Sequence, residues 1–180
     1  ETETGISIMQ TEAGLDTGPV RLVKKLPIEE TDNALTLFEK LSKLGSEAMT
    51  EALGLLQRGE LPSIPQDDSK ATHAPQLEKD DGRIRWGESA KQISHRFRGV
   101  TAYPGSWTTV KGETLKVHSI AIQNTKGQPG KIIAVSKEGV LVGAGEGSIL
   151  FKTVQPASKP KMSAHDWANG YRVNVGDTFE

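Results

Sequence analysis

Hydrophobic and polar positions change rhythm several times along the chain, and each change predicts an element. Ile6, Ile8 and Met9 give a short apolar strand, and residues 20–28 (VRLVKKLPI) alternate apolar with basic positions as a second strand that Pro27 closes. The period then lengthens: Leu35, Phe38, Leu41, Leu44, Ala48, Ala52 and Leu55 recur every three or four residues. That spacing predicts a long amphipathic helix with Thr31 as its N-cap, Asp32 at its positive end and Gly59 as its stop. One apolar face this long must cover something, and the sheet that contains residues 6–9 is the natural partner.

Residues 61–82 contain three prolines and no sustained period, and read as a linker. Residues 89–100 (SAKQISHRFRGV) predict a short helix with Ala90, Ile93 and Phe97 inward and Lys91, Arg96 and Arg98 outward. Trp86, beside Ile84, reads as an anchor for the second domain rather than a stacking platform. Beyond Tyr103-Pro104-Gly105 the period shortens to that of strands at 107–110, 114–122, 131–135, 140–144 and 148–154, with glycine at the corners. The fold class is therefore α/β followed by β, and five short strands fit a small OB-like barrel better than a sandwich. Gly143-Ala-Gly145-Glu-Gly147 leads into a strand instead of a helix, so it reads as a hairpin and not a phosphate loop. Ser163 reads as the N-cap of a short last helix, with His165 in a local capping role.

Between the first two strands, Gly14 and Gly18 flank Leu15-Asp16-Thr17. Glycine is expected where a side chain would block either a tight turn or a close-approaching ligand. Asp16 falls just past the carboxyl end of a strand, where loops of open α/β sheets carry chemistry. Asp and Gly are also good turn formers, and spacing does not choose between the two readings.

The formal net charge of −1 hides a division. Residues 1–82 hold 8 Lys/Arg against 16 Asp/Glu, a balance of −8, and residues 83–180 hold 14 against 7, a balance of +7. Such a basic half points to a polyanion partner or to a merely solvated basic surface. With no cysteine, disulfides and thiolate metal sites are excluded, and the four histidines lack metal-ligand spacing. There is no apolar run of bilayer length and no signal-peptide pattern, so no membrane partner is expected and a cytoplasmic location is the default.

The string AGLDTGP at 13–19, the segment PQDDSKATHAPQL with DGRIRW behind it, YPGSW, and the run GAGEGSILFKTVQPASKPKMSA resemble the folate-dependent formyltransferases. The resemblance is strongest to the members that formylate methionyl-tRNA. It implies that Asp16 is the catalytic aspartate, with Gly14, Leu15, Thr17 and Gly18 as the substrate and folate loop. It also implies 10-formyltetrahydrofolate as formyl donor, no metal, initiator methionyl-tRNA as partner and a monomeric full-length protein. Lys159 and Lys161 match the basic pair before Met-Ser-Ala in that family and lead the candidates for tRNA contact, with Arg96, Arg98, Lys111 and Lys116 behind them.

The family's Asn-x-His pair and Ser-Leu-Leu-Pro loop do not occur in this sequence. The expectation is a C-terminal portion: a remnant of a Rossmann-like catalytic domain at 1–60, a linker at 61–82 and an OB-like tRNA-binding domain at 83–180, inactive by itself. Two rivals remain: a nucleic-acid-binding module without catalysis, and a formyltransferase or hydrolase acting on a nucleotide sugar or on formyltetrahydrofolate.

Overall fold

A computed structural model describes all residues from Glu1 to Glu180. The chain forms two compact units, Glu1–Gln76 and Leu77–Glu180. In the first, β1 (Glu3–Met9) and β2 (Val20–Pro27) pair antiparallel, with Ile6 opposite Lys24 and Ile8 opposite Leu22. The helix α1 (Ala34–Gln57) packs against both strands and buries Ala48 and Ala52, as the three- and four-residue period predicts.

The start of α1 differs from the expected one. Asn33, not Thr31, is the N-cap: its side chain accepts from the backbone N–H groups of Leu35 and Thr36, and the Thr36 hydroxyl oxygen accepts from the N–H of Asn33. Asp32 does more than oppose the helix dipole. Its buried carboxylate accepts from Lys40 Nζ at 2.7 and 2.8 Å, from the Thr36 hydroxyl and from the Glu29 N–H. At the other end Gly59 and Glu60 donate to the carbonyls of Leu56 and Leu55, the paired bonds that close a helix around a left-handed residue. Leu35 and Phe38, which the spacing put on the covered face, instead stay exposed with Met49, Leu53 and Leu56, so β1 and β2 cover only part of the apolar surface of α1.

The second unit holds α2 (Ala90–Gly99), six strands and a short last helix. Strands β3 (Ser106–Val110), β4 (Glu113–Gln123), β5 (Ile132–Ser136), β6 (Gly139–Gly143), β7 (Ser148–Pro156) and β8 (Met162–Ser163) make one antiparallel sheet, ordered β3-β4-β7-β6-β5 with β8 on β7. The β3–β4 hairpin turns on Lys111-Gly112, both at positive φ, the geometry that matches strand twist. The helix α3 (Ala164–Gly170) is capped by the Ser163 hydroxyl, as its sequence predicts.

The expected closed barrel is not formed by strand pairing. Strands β3 and β5 end the sheet without pairing with each other, and the chain terminus takes the place between them. Glu180 exchanges two backbone bonds with Thr109, the Phe179 N–H donates to Gly130, and the Ile132 N–H donates to Asp177. Phe179, 3% exposed, stacks on Trp86 and Trp167 and meets Phe151 edge-on. Trp86 is the anchor its neighbours suggested: buried, with its indole N–H donated to the Thr108 hydroxyl.

Phe179→Ala should cost about 3–5 kcal/mol in urea unfolding, because it empties the centre of this ring cluster; a loss below about 1 kcal/mol would contradict it. The Lys40 ammonium, then the Glu29 N–H, hold the Asp32 carboxyl below its usual range. The stability this carboxylate adds is therefore complete above about pH 4 and is lost as pH falls through its lowered value. Lys40→Met should shrink that acid loss, and an unchanged acid limb would refute the assignment.

Candidate functional site

The ten-residue connection between β1 and β2 carries Asp16 into solvent. Its base is tied by a bond from the Gln10 N–H to the Pro19 carbonyl, and Gly18 is buried there. A Cβ on Gly18 would fall 1.8 Å from the Gln10 carbonyl oxygen, and one on Gly14 would fall 2.4 Å from the Thr17 hydroxyl. Gly18 is thus required by the loop's own backbone packing, whereas at Gly14 the obstacle is the Thr17 side chain. Asp16 itself adopts φ 55°, and its exposed carboxylate bonds to no other group of the protein. Leu15 beside it is 90% exposed.

Residues 61–66, expected to begin the linker, instead brace this loop. Ile64 exchanges two backbone bonds with Val20, and the Gln66 side-chain amide donates to the carbonyls of Asp16 and Gly18, both at 2.8 Å. Gln66 therefore fixes the backbone of the residue expected to do chemistry while leaving its carboxylate free. The pattern of apolar positions gave no sign of it, because the brace runs through an amide and two carbonyls.

The six basic candidates divide into two groups. Arg96 is paired with Glu88 at 2.7 Å, with Arg96 Nε and Glu88 Oε2 buried and unbonded. Lys111 donates to Asp177 and to the Arg172 carbonyl, each at 2.9 Å. The Asn174 N–H first, then the Lys111 ammonium, hold the Asp177 carboxyl below the usual carboxylate range. Arg98 is half-buried and engaged within the fold. Lys116, Lys159 and Lys161 are exposed, with no carboxylate on their ammonium groups.

The exposed group shares one region of the sheet. Lys116 on β4 stands directly opposite Gln155 on β7 and Trp107 on β3, so all three are on the outward face. Arg83 lies over the Trp107 ring, its guanidinium carbon 5.6 Å from the ring centroid. His118 Nε2 is 2.9 Å from Gln155 Oε1, and Gln155 Nε2 donates to the Lys159 carbonyl at 2.9 Å. Alternation along β4 marks Lys116 and His118 as outward in sequence; the link through Gln155 to the turn carrying Lys159 is tertiary and was not visible there.

The family description "Formyl transferase, C-terminal domain" matches residues 76–172, more than half of the chain, and "Formyl transferase" matches residues 1–53. The chain belongs to the formyltransferase family. A protein named methionyl-tRNA formyltransferase from Geobacter sulfurreducens is 40% identical over 176 residues, which is 98% of this chain and 56% of that protein. This formyltransferase chain thus spans just over half the length of such a relative. Solved folds agree: HypX from Aquifex aeolicus in complex with tetrahydrofolic acid superposes with TM-score 0.72 at 19% identity, over 97% of this chain and 31% of that one. An N-formyltransferase from Helicobacter canadensis, in complex with folinic acid and dTDP-3-aminofucose, gives 0.66 at 15% identity, over 87% and 56%.

Gln66→Ala should speed amide hydrogen exchange at residues 13–18 severalfold while moving overall stability by about 1 kcal/mol. Exchange equal to that of the wild type would mean that Gln66 does not hold the loop.

Proposed function

We propose that this chain is the C-terminal part of a cytoplasmic, metal-independent methionyl-tRNA formyltransferase that uses 10-formyltetrahydrofolate and acts on initiator methionyl-tRNA. The observation that carries the reading is identity of 40% over nearly the whole chain to a protein so named. Asp16 supports it: a carboxylate presented by a braced loop, without an internal partner, is free to meet a substrate.

Formyl transfer joins the methionine nitrogen to the formyl carbon, breaks that carbon's bond to the folate nitrogen, and requires the attacking amine to give up a proton. A carboxylate that accepts a hydrogen bond from the amine, or orients the group that takes its proton, meets that need. Asp16 takes this role beside a histidine supplied from outside these residues, with Gly14, Leu15, Thr17 and Gly18 setting the loop's shape. The exposed glycine-flanked loop is also compatible with a folate ligand approaching Asp16.

In this reading the curled second unit is an OB-like module that holds tRNA. Lys116, Lys159 and Lys161 supply phosphate contacts, which position the acceptor and make affinity depend on salt. Arg96 and Lys111 serve the fold, since carboxylates already hold them. The basic balance of residues 83–180 favours a tRNA acceptor over a nucleotide sugar, which needs no broad basic surface.

The test joins this chain to the amino-terminal portion of the Geobacter sulfurreducens protein and assays formyl-methionyl-tRNA. The chimera should be active, the 180-residue chain alone inactive, and Asp16→Asn in the chimera should lower kcat by at least about 100-fold. Lys159→Ala with Lys161→Ala should raise KM for tRNA and leave kcat nearly unchanged. An active Asp16→Asn chimera would remove Asp16 from the chemistry, and transfer to an amino sugar but not to tRNA would replace the acceptor.

A further inference from the structure

A cleft of about 190 Å³ opens between β4 and the α2–β3 connection. Phe97, Thr101, Pro104 and Gly105 line one side, and Lys116 and His118 line the other. Its lining contains no carboxylate, and Lys116 is its one permanently charged group. A lysine that lines a recess without a carboxylate suits the recess to an oxyanion.

The bonding of Gln155 assigns the proton on the neighbouring ring. The Lys159 carbonyl can only accept, so the Gln155 atom facing it is the amide nitrogen. The amide oxygen then faces His118, and Nε2 of the imidazole must carry a hydrogen. The only ring nitrogen left is Nδ1. In the neutral ring Nδ1 accepts and would repel an anion's oxygen; in the protonated ring it donates, and the bond to Gln155 is undisturbed. Around His118, Lys116 flanks it on β4, β7 presents the uncharged Gln155, whose amide holds the turn that carries the Lys159 charge, and Phe97, Thr101, Pro104 and Gly105 carry no charge.

We propose that this cleft is a phosphate site, with Lys116 and protonated His118 as its donors and Gln155 as the residue that positions both the His118 ring and the Lys159 turn. The site rests on the tRNA reading above and deepens it: the phosphate belongs to the RNA backbone. Anchoring by Gln155 ties β4, β7 and the turn after β7 into one surface, so Lys116, His118 and Lys159 meet the same stretch of backbone. Phosphate binding takes up a proton on His118, and RNA affinity therefore rises as pH falls.

The experiment titrates the full 180-residue chain with unfractionated tRNA and, separately, with inorganic phosphate. It follows the His118 ring nitrogens by NMR and tRNA affinity by fluorescence anisotropy at about pH 8 and about pH 5.5. With tRNA, the His118 signals should move to those of the doubly protonated ring, and affinity should rise severalfold at the lower pH. His118→Gln should remove its share of that rise. Lys116→Gln should lower the salt slope by about 1. Gln155→Leu should weaken binding at both pH values without unfolding the chain.

If tRNA fails to bind the wild-type chain, both the tRNA reading and this site fall. If tRNA binds but leaves His118 unmoved, and Lys116→Gln binds as the wild type does, the site alone is overturned. A His118 response to inorganic phosphate but not to tRNA would assign the cleft to a free anion and overturn the backbone assignment.

Discussion

The second unit depends on one ring. Phe179, the penultimate residue, is held among Trp86, Trp167 and Phe151, while the backbone around it bonds to Thr109 on one side and to Gly130 and Ile132 on the other. Four aromatic side chains from distant parts of the chain meet there, and the two sheet edges are joined through the terminus instead of through each other. Aromatic burial fixes the terminus, and the fixed terminus satisfies backbone groups that would otherwise be bare. β3, whose outer face continues onto β4 and β7, is one of the two edges this arrangement holds.

The first unit shows a different economy. It has two strands, one α-helix and a single 3-10 turn at Asp68–Lys70, and it leaves Phe38 64% exposed. What order it has near Asp16 comes from polar contacts: the Gln66 amide on two carbonyls, and the backbone exchange between Val20 and Ile64. Burial is scarce here, so hydrogen bonds of the backbone carry the loop's geometry. The result is an exposed Asp16 carboxylate on a hydrogen-bonded backbone frame.

Period and turn chemistry made most of the fold legible. The α1 spacing, the Lys111-Gly112 turn, the Ser163 cap and the anchoring of Trp86 were all written in local sequence. The N-cap was not, because Thr31, Asp32 and Asn33 are all competent caps and the choice lies with Lys40, eight residues beyond Asp32, which draws Asp32 into an ion pair. The sheet's open ends were also hidden: Thr178-Phe179-Glu180 has no strand period, and its place is set by a ring finding its partners. Among the candidate residues, Asp16, Lys116, Lys159 and Lys161 are exposed. Arg96 and Lys111 are paired within the fold, and a charge run does not reveal that Glu88 and Asp177 lie within bonding distance.

The function proposed above assigns chemistry to the acidic unit and RNA contact to the basic one. The most direct test is ultraviolet crosslinking of tRNA to the full chain, with mass spectrometry of the modified peptides. Crosslinks are expected in the peptides that contain Trp107, Lys116 and Lys159–Lys161, with competition by salt. Crosslinks confined to residues 1–76 would contradict the division.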